Sequence, residues 1–165
     1  MKVFDYQAGI FTSTIALSLG QIPGTATNDN AATGFVGEYI SLGGTGGFNA
    51  TTVWGDFVNI SLTAGDWNLN AMMDITSNGS TWTEADIGIS TTSGNSAAGL
   101  TIGTNWMNAV WASSAATPVT VPLVITNYRV SLASTTTMYF KYMAVFSAGG
   151  PPQSNGALMY ARRVR

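Results

Sequence analysis

At 165 residues the chain is long enough for one domain with a substantial core, and 45% of its residues are hydrophobic. Only 8% are charged and the formal net charge is −2, which excludes a basic surface of the kind that binds nucleic acid or anionic lipid. The chain has no Cys, which excludes a disulfide framework and a thiolate metal site, and no His, the commonest general base and metal ligand.

The low charge also bears on the surface. An ordinary domain has about a quarter of its residues charged, so Ser, Thr, Asn and Gly must form most of this surface. Such a surface gives little repulsion between copies, which favours a chain covered by its own copies or by a larger assembly. An ordinary polar extracellular domain is the alternative. No stretch is long and apolar enough to cross a membrane, so we expect no membrane insertion.

Residues 1–26 differ from the rest of the chain. They carry a set of large apolar side chains, Phe4, Tyr6, Ile10 and Phe11, ahead of a break at Gln21-Ile22-Pro23-Gly24. One interpretation is an N-terminal arm that docks onto another subunit or assembly. The other is that these residues form the first strands of the main domain, which we place at residues 27–165. Residues 10–19 contain several hydroxyl side chains and follow Asp5, so we interpret them as structure and not as a leader.

Residues 53–75 give the clearest local pattern. Val58, Ile60 and Leu62 alternate with polar residues, and so do Trp67 and Leu69. A period of two places alternate side chains on one face, so each half predicts a half-buried strand. Ala-Gly-Asp between the halves is typical of a turn, which predicts a tight antiparallel hairpin.

Similar alternation recurs along the rest of the chain. The glycine-rich run at residues 43–47 is interpreted as a flexible turn, because it lacks the Lys-Ser/Thr and the helix of a phosphate loop. Pro122 interrupts a strand pattern and should lie at an edge or a bulge. Roughly eight to ten short strands, with no convincing helix, predict one all-β domain, an antiparallel sandwich or a jelly roll.

The strand at residues 137–146 is apolar on both faces. Such a strand is covered on both sides, by two layers of one domain or by a neighbouring subunit. We expect one face to lie in the core and the other to form a subunit interface through Tyr139, Lys141, Met143 and Val145.

Two sets of residues could carry chemistry or binding. Glu84 and Asp86 share a strand face, and Asp74 would oppose them if the two strands pair; a glycosidase needs two such carboxylates. Solvated side chains are the stronger alternative, so no catalytic residue, metal or cofactor is expected. Trp106 and Trp111 lie beside polar loops, where exposed rings would stack on sugars, although packing beneath a loop is the favoured alternative.

Five segments in order resemble the C-terminal β-sandwich modules of tailed-bacteriophage tail fibre and virion appendage proteins. They span residues 34–41, 60–67, 87–93, 129–139 and 157–165, the last ending in Ala-Arg-Arg-Val-Arg. The likeness covers residues 25–165. It implies a jelly-roll-like β-sandwich that forms a homotrimer and is displayed on a phage particle, with the virion as its location after assembly in the host cytoplasm. It also implies contact with other virion proteins and recognition of the host surface, often of saccharide.

The chain departs from that pattern because tail fibres normally carry a long shaft before this module. We therefore expect the N-terminal arm, through Phe4, Tyr6, Ile10 and Phe11, to attach the module to the virion. This favours a short tail or head fibre. A capsid decoration protein is the alternative, and a polysaccharide depolymerase using Asp74, Glu84 and Asp86 is a weaker one.

Overall fold

The computed structural model describes residues 30–77, 79–110, 120–147 and 150–164. Within these residues the chain forms eight β-strands and no helix, which confirms the all-β prediction. The strands are β1 (Tyr39–Gly47), β2 (Gly55–Leu62), β3 (Gly65–Thr76), β4 (Thr81–Ser90), β5 (Trp106–Val110), β6 (Thr120–Leu132), β7 (Thr136–Ser147) and β8 (Gln153–Arg163). Residues 1–26, for which a separate arm is predicted, lie outside the described residues.

The strands form two four-stranded sheets. Sheet A has the order β1-β8-β3-β6 and sheet B the order β2-β7-β4-β5, with every pairing antiparallel. The chain changes sheet at every connection except that from β4 to β5. Eight strands wound in this way into two facing sheets have the arrangement of a jelly roll, and the predicted antiparallel sandwich is confirmed.

The core lies between the two sheets and follows from the period of two. Trp67, Leu69 and Met73 project inward from β3, while Ile87 and Phe140 project inward from β4 and β7. All five are at most 1% exposed. Burial of alternate side chains from both sheets is the main source of stability in a sandwich of this kind.

The connection between β2 and β3 differs from the predicted hairpin. β2 pairs with β7 in sheet B, whereas β3 pairs with β6 and β8 in sheet A. The Ala-Gly-Asp turn therefore carries the chain across the sandwich. Alternation alone cannot distinguish these cases, because both strands bury one face against the same core in either arrangement.

The glycine-rich run is also a correction, because it forms the second half of β1 and pairs with β8. A Cβ at Gly43 would lie 2.7 Å from the carbonyl oxygen of Ala157, and one at Gly44 would lie 3.4 Å from the ring of Phe57. Glycine is used here for the close approach of neighbouring groups, which a strand tolerates, and not for a turn.

A bulge near Thr83 sets which side chains of β4 face outward. Trp82 pairs with Phe146, and the next paired residue, Glu84, pairs with Val145. The extra residue reverses the alternation. Trp82 therefore points into the core, while Glu84 points to the outer face of sheet B.

Strand β6 is a sheet edge, since it pairs only with β3. It contains Pro122, as predicted for a proline at an edge. Its register shifts opposite Asn70, where Asn127 has a positive φ of 58°. The edge is therefore interrupted twice along its thirteen residues.

Arg163 joins three parts of the chain at one end of sheet A. Its Nε donates to the Glu38 carboxylate at 3.0 Å, its Nη1 donates to the Ala64 carbonyl at 2.7 Å, and its Nη2 donates to the Thr63 hydroxyl. The guanidinium also lies 4.3 Å from the centre of the Trp67 ring. Only 4% of Arg163 is exposed, so the ion pair is shielded from water.

We expect Arg163→Lys to lower the free energy of unfolding by about 2–4 kcal/mol, because lysine keeps the charge but cannot make this set of bonds. Urea unfolding measures the change. The matched control is Arg162→Lys, an exposed neighbour on the same strand, for which we expect a change within about 0.5 kcal/mol. Equal losses in the two variants would contradict this account of Arg163.

Candidate functional site

The outer face of sheet B brings together several residues that the sequence analysis selected. On this face Gly88 of β4 lies between Trp106 of β5 and Lys141 of β7. One step along β4, Asp86 lies between Asn108 and Met143 on the same two strands. The register of three strands therefore places a tryptophan, a carboxylate and a lysine on one surface.

Lys141 is fully buried on this surface and is bound within its own chain. Its Nζ donates to the Asp56 carboxylate, to the Thr92 carbonyl at 3.1 Å and to the Gly94 carbonyl at 2.7 Å. The same carboxylate accepts from the Ser93 hydroxyl and the Gly94 N–H, both at 2.7 Å. Burial raises the pKa of Asp56, but the bonds from Lys141, Gly94 and Ser93 and the charge of Lys141 outweigh it and lower the pKa below its usual value.

These bonds hold residues 91–105 against the sheet. Leu100 covers Gly88 so closely that a Cβ there would lie 2.6 Å from the leucine side chain. The buried Asn105 amide donates to the carbonyls of Ile89 at 2.8 Å and Gly99 at 2.7 Å. The segment therefore forms a third layer outside sheet B.

This layer changes the interpretation of the predicted subunit interface. Lys141 is 0% exposed and Met143 is 8% exposed within a single chain, while Tyr139 and Val145 are half-buried. Lys141 and Met143 therefore offer almost no surface to a partner subunit, which departs from the prediction. Apolar residues on both faces of β7 predict that both faces are covered. The pattern does not reveal that residues 91–105 of the same chain, and not a partner subunit, cover the outer face.

Trp106 packs against another tryptophan. Its ring meets that of Trp54 edge to face, with centroids 5.4 Å apart and an angle of 84° between the planes. Trp54 is buried, and Trp106 is half-buried with its indole nitrogen inside. This geometry fits the packing alternative for Trp106. Trp111 lies outside the described residues, as do Phe4, Tyr6, Ile10 and Phe11.

Glu84 and Asp86 form a carboxyl pair on this face, held by Asn108. The Asn108 side-chain nitrogen donates to Glu84 at 2.7 Å and also to Asp86. Asp86 is fully buried. The pKa of Asp86 is raised from its usual 3.8 to about 6, because burial and the charge of Glu84 raise it by more than the bond from Asn108 lowers it.

Asp74 does not join this pair, which corrects the predicted acidic cluster. β3 carries Asp74 in sheet A, on the opposite side of the sandwich, because β3 pairs with β6 and β8 and not with β4. A glycosidase needs two carboxyl groups that a sugar can reach, and Asp86 has no exposed surface. Within the described ranges, no group of three or more His, Cys, Asp or Glu is placed to hold a metal ion.

Within the described residues no segment covers the outer face of sheet A, in contrast to the part of sheet B beneath residues 91–105. Met72 is 47% exposed and Val124 is 39% exposed, and with the half-buried Leu158 they line a groove of about 250 Å³. Pro122 and Asp74 complete its wall. This groove is the second candidate site, and it suits an apolar group rather than catalysis because a single carboxylate is its one ionisable lining group.

Asp56, Asn105 and Asn108 organise the outer face of sheet B but are not among the residues that the sequence predicts for a site. The sequence does indicate that such a carboxylate exists, since Lys141 is the one charged residue in a strand pattern, residues 137–146, that is largely apolar on both faces. A lysine in such a place must be paired if it is charged. The sequence did not indicate which carboxylate is the partner.

Comparison of the chain with family models, with curated proteins and with solved structures found no match in any of the three. The likeness to phage appendage modules therefore stays a prediction from the sequence. In the part of the chain that the structure describes, no helix is both long and apolar enough to span a membrane.

We expect the stability of the folded chain to fall as pH rises from about 4 to about 6. The folded state holds the Asp86 proton more tightly than the unfolded state, so ionisation of Asp86 costs on the order of 3 kcal/mol, fully expressed above pH 6. Asp86→Asn should remove that loss and raise the free energy of unfolding at pH 8, with little change at pH 4. Urea unfolding at both pH values tests this.

The control for Asp86→Asn is Asp74→Asn, which removes an exposed carboxyl on the other sheet. We expect it to keep the wild-type dependence on pH. If Asp86→Asn also kept that dependence, the buried carboxyl would not be its source.

We expect Lys141→Met to lower the free energy of unfolding by about 2–3 kcal/mol and to speed amide exchange at residues 92–94, because the carbonyls and the carboxylate lose their shared donor. Asp56→Asn should be costly too, since it leaves a buried charge. The double variant should cost less than the sum of the two. If the losses in free energy of unfolding were additive, or if amide exchange at residues 92–94 were unchanged, Lys141 would not be what holds this segment on sheet B.

Proposed function

We propose that the chain is a virion structural protein of a tailed phage, a homotrimeric short tail or head fibre module that contributes to host-surface attachment. The observation that carries the proposal is the fold, an eight-stranded jelly-roll sandwich with very few charges and one open apolar sheet face. Jelly rolls are frequent in viral capsid proteins and in lectins. Because a fold alone does not fix a function, the likeness of the five sequence segments supplies the second support.

Two properties of the surface, its low charge and its clustered apolar side chains, support a protein that assembles with copies of itself. Self-repulsion is low because the net charge is only −2, and the exposed apolar side chains Met72 and Val124 lie together on one sheet. Exposed apolar groups that cluster in this way are typical of interaction surfaces. We propose contacts with sister copies and with other virion proteins, and host saccharide as a further ligand.

Capsid decoration is the second candidate function. The exposed apolar side chains on sheet A favour it, because an exposed apolar patch suits packing between copies or onto a shell. A depolymerase has less support, because the described residues do not bring Asp74 to Glu84 and Asp86.

Image reconstruction of the particle tests this proposal. A few copies on the tail or at isolated head positions would support the fibre role, and many copies spread over the head would support decoration. Light scattering of the isolated protein should give the mass of a trimer. A protein absent from purified particles would overturn both roles.

We expect deletion of residues 1–20 to abolish incorporation into particles, because these residues hold the proposed anchor with Phe4, Tyr6, Ile10 and Phe11. Incorporation is measured by immunoblot of purified particles from a host that supplies only the shortened protein. The control is Phe35→Ser, which alters an exposed side chain outside the arm and should leave incorporation unchanged. Retained incorporation of the shortened protein would contradict the role of the arm.

A further inference from the structure

The outer face of sheet A presents its side chains in four rows across β8, β3 and β6. The register places together, row by row, Arg162, Asn68 and Arg129; then Tyr160 and Asn70; then Leu158, Met72 and Val124; then Gly156, Asp74 and Pro122. Rows are two residues apart, so the first and the fourth are separated by about 20 Å along the strands. The face is therefore positive at one end, aromatic and apolar in the middle, and negative at the other.

The charges of this face are unevenly placed. Of the cationic side chains in the described residues, Lys141 and Arg163 are buried, whereas Arg129 and Arg162 are exposed and share the first row. Arg129 already pairs with Asp66 at 2.9 Å, so Arg162 contributes most of the available positive charge. Asp74, in the fourth row, is the exposed charge of opposite sign.

We propose that this face binds the same face of a second copy about a two-fold axis. The axis lies in the plane of the interface and runs parallel to the rows, perpendicular to β3. It passes between the second and third rows. The first row of each copy then meets the fourth row of the other, and the second row meets the third. Because the two-fold repeats every contact, one surface supplies both halves of the match.

The side chains match under this operation. Arg162 of one copy lies over Gly156 of the other, where the missing side chain leaves space, and it reaches Asp74 on the neighbouring strand. Tyr160 lies over Leu158 and the groove of about 250 Å³, which has room for an aromatic ring. A Cβ at Gly156 would meet nothing within 4 Å in the single chain, so no close approach within the subunit requires this glycine.

A second copy fits better than another occupant because the face carries its own complement of charge and of shape. Residues 91–105 already cover the part of the outer face of sheet B around Gly88 and Lys141, which leaves sheet A as the less covered face among the described residues. The contact rests on the self-assembly part of the proposed function and extends it. If three subunits meet through other surfaces, this contact links one trimer to the next.

Charge reversal tests the contact in the full chain. We expect Asp74→Arg and Arg162→Asp each to weaken self-association at least tenfold, measured by sedimentation over a range of concentrations. The double variant should associate again, because both contacts are reversed together. A mixture of the two single variants should form a mixed pair, since the arginine-rich face of one meets the aspartate-rich face of the other.

A matched control is Ser61→Arg, which adds a charge at an exposed site on sheet B and should not affect association. A second measurement uses the absence of cysteine: because facing sheets pack about 10 Å apart, too far for a disulfide, a mixture of Tyr160→Cys and Leu158→Cys should be joined between copies by a short bis-maleimide cross-linker. Formation of that cross-link at low protein concentration supports the two-fold contact even if charge variants express poorly.

The outcomes separate the two proposals. Association that is unaffected by Asp74→Arg and Arg162→Asp would overturn the two-fold contact and leave a trimer through other surfaces intact. A protein that stays monomeric at all concentrations would overturn the contact and the trimer together. A monomer in which residues 1–29 protect Met72 from oxidation would assign the face to the chain's own N-terminal segment, which also overturns the contact.

Discussion

The ion pair between Lys141 and Asp56 is the interaction on which the arrangement of surfaces depends. A lysine that is fully buried must be paired and hydrogen-bonded, and here one carboxylate and two carbonyls meet that need. Because two of these partners belong to the segment that follows β4, the bonds that satisfy the charge also fix residues 91–105 over sheet B. The sandwich thereby gains a third layer on one side and keeps an open face on the other.

Two of the few charged residues, Arg163 and Lys141, each connect separate segments of the chain. Arg163 joins the segment before β1 to the turn between β2 and β3, and Lys141 fixes the outer layer. Removal of Arg163 leaves the buried charge of Glu38, and removal of Lys141 leaves the Asp56 carboxylate and two carbonyls without their shared donor, so these positions tolerate little change. The remaining surface has low charge density, and this property connects the physical chemistry of the fold with a proposed role among many identical neighbours.

The sequence predicts the strands and the inward faces well, because a period of two is a direct consequence of strand geometry. Trp67, which alternates with polar residues in the sequence, lies in the core as that pattern predicts. Strand partners could not be predicted, since β2 and β3 bury the same kind of face whether they pair with each other or lie across the core. For the same reason the sequence does not reveal that β3 and β4 lie in different sheets, which separates Asp74 from Glu84, or that the chain itself covers Lys141.

The interrupted edge at β6 has a consequence for how copies add to one another. A long free edge of a sheet can extend without limit by accepting further strands, which is the start of fibre growth. Pro122 lacks the N–H that such growth needs, and the left-handed backbone at Asn127 breaks the remaining edge into short lengths. The same strand contributes Val124 to the open apolar face. Strand addition is thus hindered at β6, the edge that adjoins the exposed apolar side chains of sheet A, so a second copy that approaches this side is directed to the face of the sheet and not to its edge.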